Sequence, residues 1–220
     1  MSFNVAIDGP AGAGKSTIAR AVAKKKGFIY VDTGAMYRAM ALFMLREGVD
    51  PADAAAAAIA DKCKEADITI QYVDGEQVVL LNGENVNAYL RTEEVGNMAS
   101  TTSAQPAVRT KLVELQQALA AKSDVIMDGR DIGTVVLPYA QVKIYLTASS
   151  MVRAKRRYDE LTAKGESCDL EKIRQDIEDR DYRDMHRETS PLKQAEDAVL
   201  VDTSDMTIEQ VIDRIVALIG

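Results

Sequence analysis

The chain has 220 residues, of which 47% are hydrophobic and 28% charged, so it is apolar enough for one globular domain and too apolar for an intrinsically disordered chain. With 27 Lys and Arg against 34 Asp and Glu, the formal net charge of −7 argues against a general binder of nucleic acid or membrane surfaces, because both attract basic proteins. Cys63 and Cys168 form no CxxC or Cys/His cluster, and we find neither a signal peptide nor an apolar run of membrane-spanning length. We therefore expect a cytoplasmic protein with reduced thiols that binds no nucleic acid and no membrane.

Short runs of β-branched residues recur between longer helical stretches. They predict strands at residues 3–8, 28–32, 125–128, 142–146 and 199–202. Each run is short and mostly apolar, as in a parallel sheet that is buried on both faces. We therefore predict an α/β fold built from βα units.

A glycine-rich run follows the first predicted strand and precedes a predicted helix. The run consists of Gly9, Pro10, Ala11, Gly12, Ala13, Gly14, Lys15, Ser16 and Thr17, and it fits the phosphate-loop pattern GxxxxGK[ST]. Its glycines let backbone N–H groups approach phosphate oxygens, and the start of the helix adds positive potential. We expect Lys15 to reach the β- and γ-phosphates of a nucleoside triphosphate and Ser16 to hold Mg²⁺. The alternative is a plain glycine-rich turn.

A second carboxylate is expected near the metal, at the end of a neighbouring apolar strand. Asp128 follows the apolar run of residues 125–127 and is the best candidate for this Walker-B-like position. The alternative is that Asp128 ends its strand and caps a turn with Gly129. Because the sequence has no NKxD motif, we do not expect a GTPase switch protein.

Two insertions interrupt the βα pattern. Residues 67–86 alternate in polarity and contain the hairpin signal Asn82-Gly83, which predicts a small antiparallel unit after an alanine-rich helix at residues 53–66. Residues 149–187 contain 10 Lys and Arg and 10 Asp and Glu. Such a run is usually a solvated helical face with i, i+4 ion pairs, and its functional alternative depends on what the rest of the chain binds.

Arginines at loop ends and in the charged insertion suggest what receives the phosphoryl group. They are Arg38, Arg109, Arg130, Arg180, Arg183 and Arg187. Guanidinium groups grip a phosphate dianion with paired hydrogen bonds, so this set points to a phosphorylated acceptor. Because a phosphate monoester is already nucleophilic at pH 7, no general base is required. We therefore interpret His186 as a surface or salt-bridged residue and not as a catalytic one.

Taken together, the motifs GPAGAGKST, DTGAMYR, RTEEVGNMAS, PAVR, DGRDIGT, RDYRDMHR and TSPL resemble those of bacterial-type cytidylate kinases over essentially the whole chain. The resemblance implies a P-loop kinase fold, with a five-stranded parallel sheet flanked by helices, a small antiparallel insertion and a helical lid. It places the core at about residues 1–31, 101–148 and 188–220, the monophosphate-binding region at about 32–100 and the lid at about 149–187. It also implies a monomer that transfers the γ-phosphate of ATP to CMP or dCMP with Mg²⁺.

The resemblance also assigns site residues. For CMP, Arg38 and Arg130 would bind the acceptor phosphate, Ser100, Arg109 and Asp131 the cytosine, and Arg180 and Asp184 the ribose, with Thr33 standing where many relatives have serine. For ATP and the transfer, the phosphate loop would act with Arg156 and Arg157, while Lys15, Arg130, Arg183 and Arg187 would be catalytic. The sequence alone does not show which of these lid arginines, or the nearby Arg153, are catalytic.

The chemistry of cytosine agrees with this assignment of Asp131. A carboxylate can accept from the N4 amino group while the guanidinium of Arg109 donates to the ring acceptors. Uracil would place its O4 acceptor against the carboxylate, so we predict a preference for CMP over UMP. The alternative for Asp131 is a salt bridge to Arg130 or Arg109. A kinase for another monophosphate such as UMP, or a non-catalytic ATP-binding switch, is the rival function.

Overall fold

A computed structural model describes residues 2–50 and 56–220. In chain order its elements are β1 (Asn4–Asp8), α1 (Lys15–Lys26), β2 (Ile29–Asp32), α2 (Thr33–Arg46), α3 (Ala56–Lys62), β3 (Ile68–Val73), β4 (Glu76–Leu81), β5 (Glu84–Asn85), α4 (Glu93–Thr102), α5 (Pro106–Ala120), β6 (Val125–Gly129), β7 (Val142–Thr147), α6 (Ser150–Ala163), α7 (Leu170–His186), β8 (Val199–Asp202) and α8 (Ile208–Ile219). A π-helical turn, Ile132–Val136, lies between β6 and β7. The five predicted strands are confirmed, each to within one residue at its ends.

The main sheet is parallel and has the strand order β2, β6, β1, β7, β8. In the middle, Ile7 of β1 pairs with Asp128 of β6 on one side and with Ile144 of β7 on the other. These central strands are mostly buried apolar residues, as parallel strands covered on both faces require. Because the carboxyl ends of parallel strands share one edge, the loop after β1 lies beside the end of β6.

By its internal contacts the chain forms two compact units. The first runs to residue 30 and resumes at residue 123, and the second covers residues 31–122. The core of the first unit includes Val5, Ile7, Ile126, Ile144 and Leu146 of the sheet with Ile18 and Val22 of α1 and Val211 and Ile215 of α8. This packed layer supports the loop between β1 and α1.

In the second unit, helices α2, α4 and α5 accompany a separate sheet with the order β3, β4, β5. Asn82 and Gly83 adopt positive φ angles of 50° and 83° in the turn after β4, so the predicted antiparallel unit and its hairpin are confirmed. A second turn of the same kind, at Asp74 and Gly75, joins β3 to β4. The predicted alanine-rich helix at residues 53–66 appears as α3, which ends at Lys62, four residues before the predicted end. Its first three predicted residues, 53–55, lie outside the described residues.

The charged insertion forms two long helices, α6 and α7, whose surfaces carry local ion pairs such as Lys155 with Asp159 at 2.6 Å. His186, at the end of α7, is exposed and its ring stacks on Tyr182 with ring centroids 4.0 Å apart. This is the surface position that the sequence suggests for it. None of the helices in the described part of the chain has the length and apolarity that a bilayer crossing requires.

Candidate active site

The predicted phosphate loop leaves β1 at Gly9 and enters α1 at Lys15. A Cβ atom on Gly9 would lie 1.9 Å from the carbonyl oxygen of Leu146, so this position accepts only glycine without a shift of the backbone. Lys15 is buried, and its Nζ donates to the carbonyl oxygen of Pro10 at 2.8 Å. Within the described residues, α1 has no side-chain cap and no acidic residue in its first turn, which leaves its positive end available to an anion.

Asp128, at the end of β6, accepts hydrogen bonds at both carboxylate oxygens. Ser16 Oγ donates to Oδ2 at 2.9 Å, and the hydroxyl of Tyr30 donates to Oδ1 at 2.8 Å. The carboxylate therefore faces the phosphate loop, which supports the Walker-B-like interpretation over a turn cap with Gly129. A hydroxyl and a carboxylate are the hard oxygen ligands that Mg²⁺ prefers, so Ser16 and Asp128 fit the metal that accompanies a nucleoside triphosphate.

Lys15 is buried among charged side chains of both signs. Burial and then the nearby charge of Arg130 lower the pKa of the Lys15 ammonium to about 7, while Asp128 and Asp8 compensate only in part. The pairing of Asp8 with Gly129 also sets Arg130 beside the start of the phosphate loop. A bound polyphosphate would add negative charge beside Lys15 and so favour its ammonium form.

Asp8 ties the end of β1 to the π-helical turn that follows Arg130 and Asp131. Its Oδ1 accepts the N–H of Ile132 at 2.8 Å, and its Oδ2 accepts the N–H of Gly133 at 2.7 Å. Burial raises the pKa of Asp8 to about 6, although the two N–H donors lower it in part. Asp8 thereby fixes the segment that carries Arg130 and Asp131 relative to the phosphate loop.

Two ion pairs link the end of β6 to α7. Arg130 Nε donates to Asp184 Oδ2 at 2.8 Å, and Arg187 Nη2 lies 3.7 Å from Asp131 Oδ1. Burial opposes ionisation of Asp184, but the charges of Arg130, Arg180 and Arg187 outweigh it and hold the pKa of this carboxyl below its usual value. The residues of the first unit that were predicted to bind CMP thus lie together at the carboxyl edge of the sheet.

The other predicted arginines of α6 and α7 have different surroundings. Arg183 is exposed on α7. Arg156 donates from Nη2 to the carbonyl oxygen of Thr203 at 2.8 Å and from Nη1 to its hydroxyl at 3.2 Å. Arg157 pairs with Glu160 at 2.9 Å on the exposed side of α6. A contact of Arg156 or Arg157 with ATP would require each to exchange the partner it has here.

In the second unit, the predicted CMP residues lie on α2, α4 and α5. Thr33 is the buried first residue of α2, whose start is capped by the side chain of the preceding aspartate. Arg38 Nη1 donates to the carbonyl oxygen of Leu90 at 3.0 Å, and Ser100 Oγ donates within α4 to the carbonyl oxygen four residues earlier at 3.4 Å. Arg109 is 4% exposed, so a charged group with a fixed position is present here.

Arg109 is held by two contacts within the same unit. Its Nη1 donates to the carbonyl oxygen of Ser103 at 3.2 Å, and its guanidinium lies over the ring of Tyr37, 5.4 Å from the ring centroid. Tyr37 is the neighbour of Arg38 on α2. Arg109 therefore contacts α2 at the residue next to Arg38.

The sequence motifs do not indicate several residues of this region. Asp8 is one, although an aspartate directly before a phosphate loop is a usable signal. Tyr30 is another: its side chain is buried, and its hydroxyl orients Asp128. Arg153 and Asp181 were not distinguished from the many charges around them, yet both are buried and contact the phosphate loop.

Comparison with known proteins assigns the chain to a family. The sequence profile of the family described as cytidylate kinase matches residues 5–220. The chain belongs to the cytidylate kinase family. It is 51% identical to a cytidylate kinase of Lactobacillus gasseri over 217 residues, which are 99% of this chain and 94% of that protein. It is 48% identical to a cytidylate kinase of Caldicellulosiruptor bescii over 216 residues, 98% of this chain and 95% of that protein.

Solved structures of more distant kinases share the fold of this cytidylate kinase family member. A gluconokinase from Sinorhizobium meliloti has a TM-score of 0.51 at 12% identity, covering 99% of this chain and 91% of that chain. A shikimate kinase from Bacteroides thetaiotaomicron has a TM-score of 0.50 at 12% identity, covering 98% of this chain and 97% of that chain. With the sheet order given above, these likenesses confirm the predicted P-loop kinase fold.

Proposed function

We propose that this protein transfers the γ-phosphate of ATP to CMP or dCMP, giving ADP and CDP or dCDP. Membership of the cytidylate kinase family supports this activity over the rival functions considered above. The structural observation that carries the proposal is the pairing of Asp8 with Gly129, because it sets Arg130, a predicted acceptor-phosphate ligand, beside the start of the phosphate loop. A donor and an acceptor phosphate must meet at such a place for direct transfer.

On the donor side, the phosphate loop binds the ATP phosphates through its backbone N–H groups and through Lys15. Ser16 and Asp128 hold Mg²⁺, which when bound neutralises charge on the β- and γ-phosphates. Tyr30 keeps the Asp128 carboxylate oriented by donating to its second oxygen.

On the acceptor side, we assign roles within each unit separately. In the first unit, Arg130 binds the CMP phosphate, Asp131 accepts from the cytosine N4 amino group, and Arg180 and Asp184 bind the ribose. In the second unit, Arg38 binds the phosphate, Ser100 and Arg109 bind the base, and Thr33 contributes its hydroxyl. The ion pair of Arg130 with Asp184 supports these assignments because it orients the guanidinium.

The transfer needs alignment and charge neutralisation more than proton transfer. The CMP phosphate oxygen forms a bond to the γ-phosphorus of ATP while the bond from that phosphorus to the bridging oxygen of ADP breaks. Lys15 and Arg130 offset the negative charge of the transferred group, and Arg183 and Arg187, from the proposed lid at residues 149–187, add to them. Because the acceptor is already ionised at pH 7, no residue is assigned as general base.

The test is ADP release by the purified protein with MgATP and, in parallel, CMP, dCMP, UMP, AMP or no acceptor. We expect release driven by CMP and dCMP that greatly exceeds release with UMP, AMP or no acceptor. Lys15→Met should lower kcat by about 100-fold or more. Lys24→Met, at an exposed lysine of the same helix, is the matched control and should retain full activity.

The rival functions give different results in the same assay. Equal or faster release with UMP would assign another monophosphate and remove the role of Asp131 as the base reader. ATP binding without release under any acceptor would indicate a non-catalytic ATP-binding switch. Release that does not depend on an acceptor would indicate an ATPase.

A further inference from the structure

Most charges of α6 and α7 lie at the surface, but one ion pair between these helices is buried. Arg153 of α6 and Asp181 of α7 are 6% and 7% exposed, and Nη1 of the arginine lies 2.6 Å from Oδ2 of the aspartate. The exposed pair of Lys155 and Asp159 on α6 has the same separation of 2.6 Å but both side chains are in solvent. Burial of Arg153 and Asp181 thus sets them apart from the surrounding charges.

Both members of the buried pair bind the same residue of the phosphate loop. Asp181 Oδ1 accepts the N–H of Ala11 at 3.2 Å, and Arg153 Nη1 donates to the carbonyl oxygen of Ala11 at 2.8 Å. The Nε of Arg153 donates to the carbonyl oxygen of Ala148, directly after β7, at 2.9 Å. The backbone of Ala11 is therefore fixed at its donor and at its acceptor by one pair of side chains.

The energetics of the pair indicate a positional role. Taking two charges out of water is costly, so a buried ion pair often gives no more stability than apolar side chains of similar volume. What apolar residues cannot supply is the donor and the acceptor that hold Ala11. Arg153 and Asp181 have no other established task in the proposed transfer, since the ligands assigned to ATP and CMP are different residues.

We propose that Arg153 and Asp181 are positioning residues that hold the phosphate loop in the conformation that binds the ATP phosphates. The proposal rests on the proposed function only in taking ATP as the ligand of the loop. Asp181 stands between Arg180 and Asp184 on α7, but Asp184 keeps its own contacts with Arg130 and with the N–H of Leu192. Loss of the buried pair should therefore affect ATP binding far more than CMP binding.

The test replaces the pair with apolar residues of similar volume, in the double variant Arg153→Met with Asp181→Leu. MgATP and CMP affinities are measured separately by isothermal titration calorimetry, and stability by urea unfolding. We expect a urea midpoint close to that of the wild type, MgATP affinity at least about tenfold weaker, and CMP affinity within about threefold. The control is Lys155→Met with Asp159→Leu, which removes the exposed pair and should leave both affinities unchanged.

A milder variant covers the case in which the double variant does not fold. Arg153→Lys keeps a charge that can pair with Asp181. It lacks the guanidinium, which donates to the carbonyl oxygens of Ala11 and Ala148 at once. We expect its MgATP affinity to fall several-fold at nearly unchanged stability. Unchanged MgATP affinity in a folded variant, or an equal loss of MgATP affinity, CMP affinity and stability, would overturn the proposal.

These measurements also separate this inference from the proposed function. MgATP binding does not depend on which acceptor the protein uses. If the wild type bound MgATP but failed to phosphorylate CMP, the proposed function would be wrong. The effect of the buried pair on MgATP affinity could still be measured in the variants.

Discussion

Arg130 donates its Nε–H to Oδ2 of Asp184 at 2.8 Å, and the two side chains are only 20% and 19% exposed. The pair joins the end of β6 to α7, two elements that are far apart in sequence. Since a guanidinium with a fixed orientation binds a phosphate better than one that must be ordered, the pair prepares Arg130 for the acceptor phosphate. Its partner Asp184 is assigned to the ribose, so one contact couples two parts of the proposed CMP site.

Removing the carboxylate tests this coupling. Asp184→Ala leaves a largely buried guanidinium without this partner, and we expect the KM for CMP to rise at least about tenfold. The KM for MgATP should change by less than about threefold, because the ATP ligands are separate residues. Asp179→Ala, at an exposed aspartate of the same helix, is the control. Equal increases in both KM values would show a general disturbance of the fold.

The base preference tests the role of Asp131. In Asp131→Asn the side chain keeps its shape but gains an N–H₂ donor, which can face the O4 acceptor of uracil. We expect the ratio of kcat/KM for CMP to that for UMP to fall by at least about tenfold. Asp205→Asn, at an exposed position, should leave this ratio unchanged. A ratio that stays at the wild-type value in Asp131→Asn would mean that another residue reads the base.

The raised pKa of Asp8 predicts a specific dependence of stability on pH. Its value of about 6 in the folded protein exceeds the ordinary 3.8, so the native state binds the proton more tightly than the unfolded state does. The contribution of this carboxyl to stability is therefore largest at low pH and is lost as the pH rises through 6. Compared with Asp8→Asn, the wild type should gain about 1 kcal/mol in unfolding free energy between pH 7 and pH 5.

Urea unfolding of both proteins at the two pH values measures this difference. The comparison with Asp8→Asn cancels the contributions of other titrating groups, which are present in both proteins. A difference in unfolding free energy between the wild type and Asp8→Asn that does not change with pH would contradict this account. It would mean that the pKa of Asp8 is close to its ordinary value and that this carboxyl is not buried.

The close approach of Gly9 to β7 can be tested with a matched glycine. Gly9 (φ 149°) and Gly165 (φ 78°) both have positive φ angles, but only Gly9 would place a Cβ against a neighbour, the carbonyl oxygen of Leu146. Gly165→Ala should lower the unfolding free energy by about 1 kcal/mol through its backbone conformation. Gly9→Ala should lower the unfolding free energy by about 2 kcal/mol more than Gly165→Ala does. It should also weaken MgATP binding, because the loop must shift. Equal effects of the two substitutions would contradict this geometry.

Much of the fold was predictable because its signals are local. The five strands are short, mostly apolar runs, and the phosphate loop follows from its spacing of glycines. The turn at Asp74 and Gly75 carries the same type of signal as Asn82-Gly83, so it too could have been found. These features depend on neighbours in sequence and on the buried or exposed character of each position.

The parts that could not be predicted depend on register and packing. The bond from Tyr30 to Asp128 joins residues 98 positions apart, and the bond between Asp8 and Ile132 joins residues 124 positions apart. Both exist because of how the parallel strands align. Arg153 could not be distinguished from its neighbours because α6 carries charges on most of its surface. Only the packing of this helix shows that Arg153 is buried.

The most direct test follows the phosphorus atoms of the reaction by ³¹P NMR, with the purified protein, MgATP and CMP in equal amounts. The structure and the family membership predict that ATP is replaced by ADP and CDP in equal quantities, with no inorganic phosphate. Formation of inorganic phosphate with CMP unchanged, or the absence of any change while ATP is bound, would contradict phosphoryl transfer to CMP.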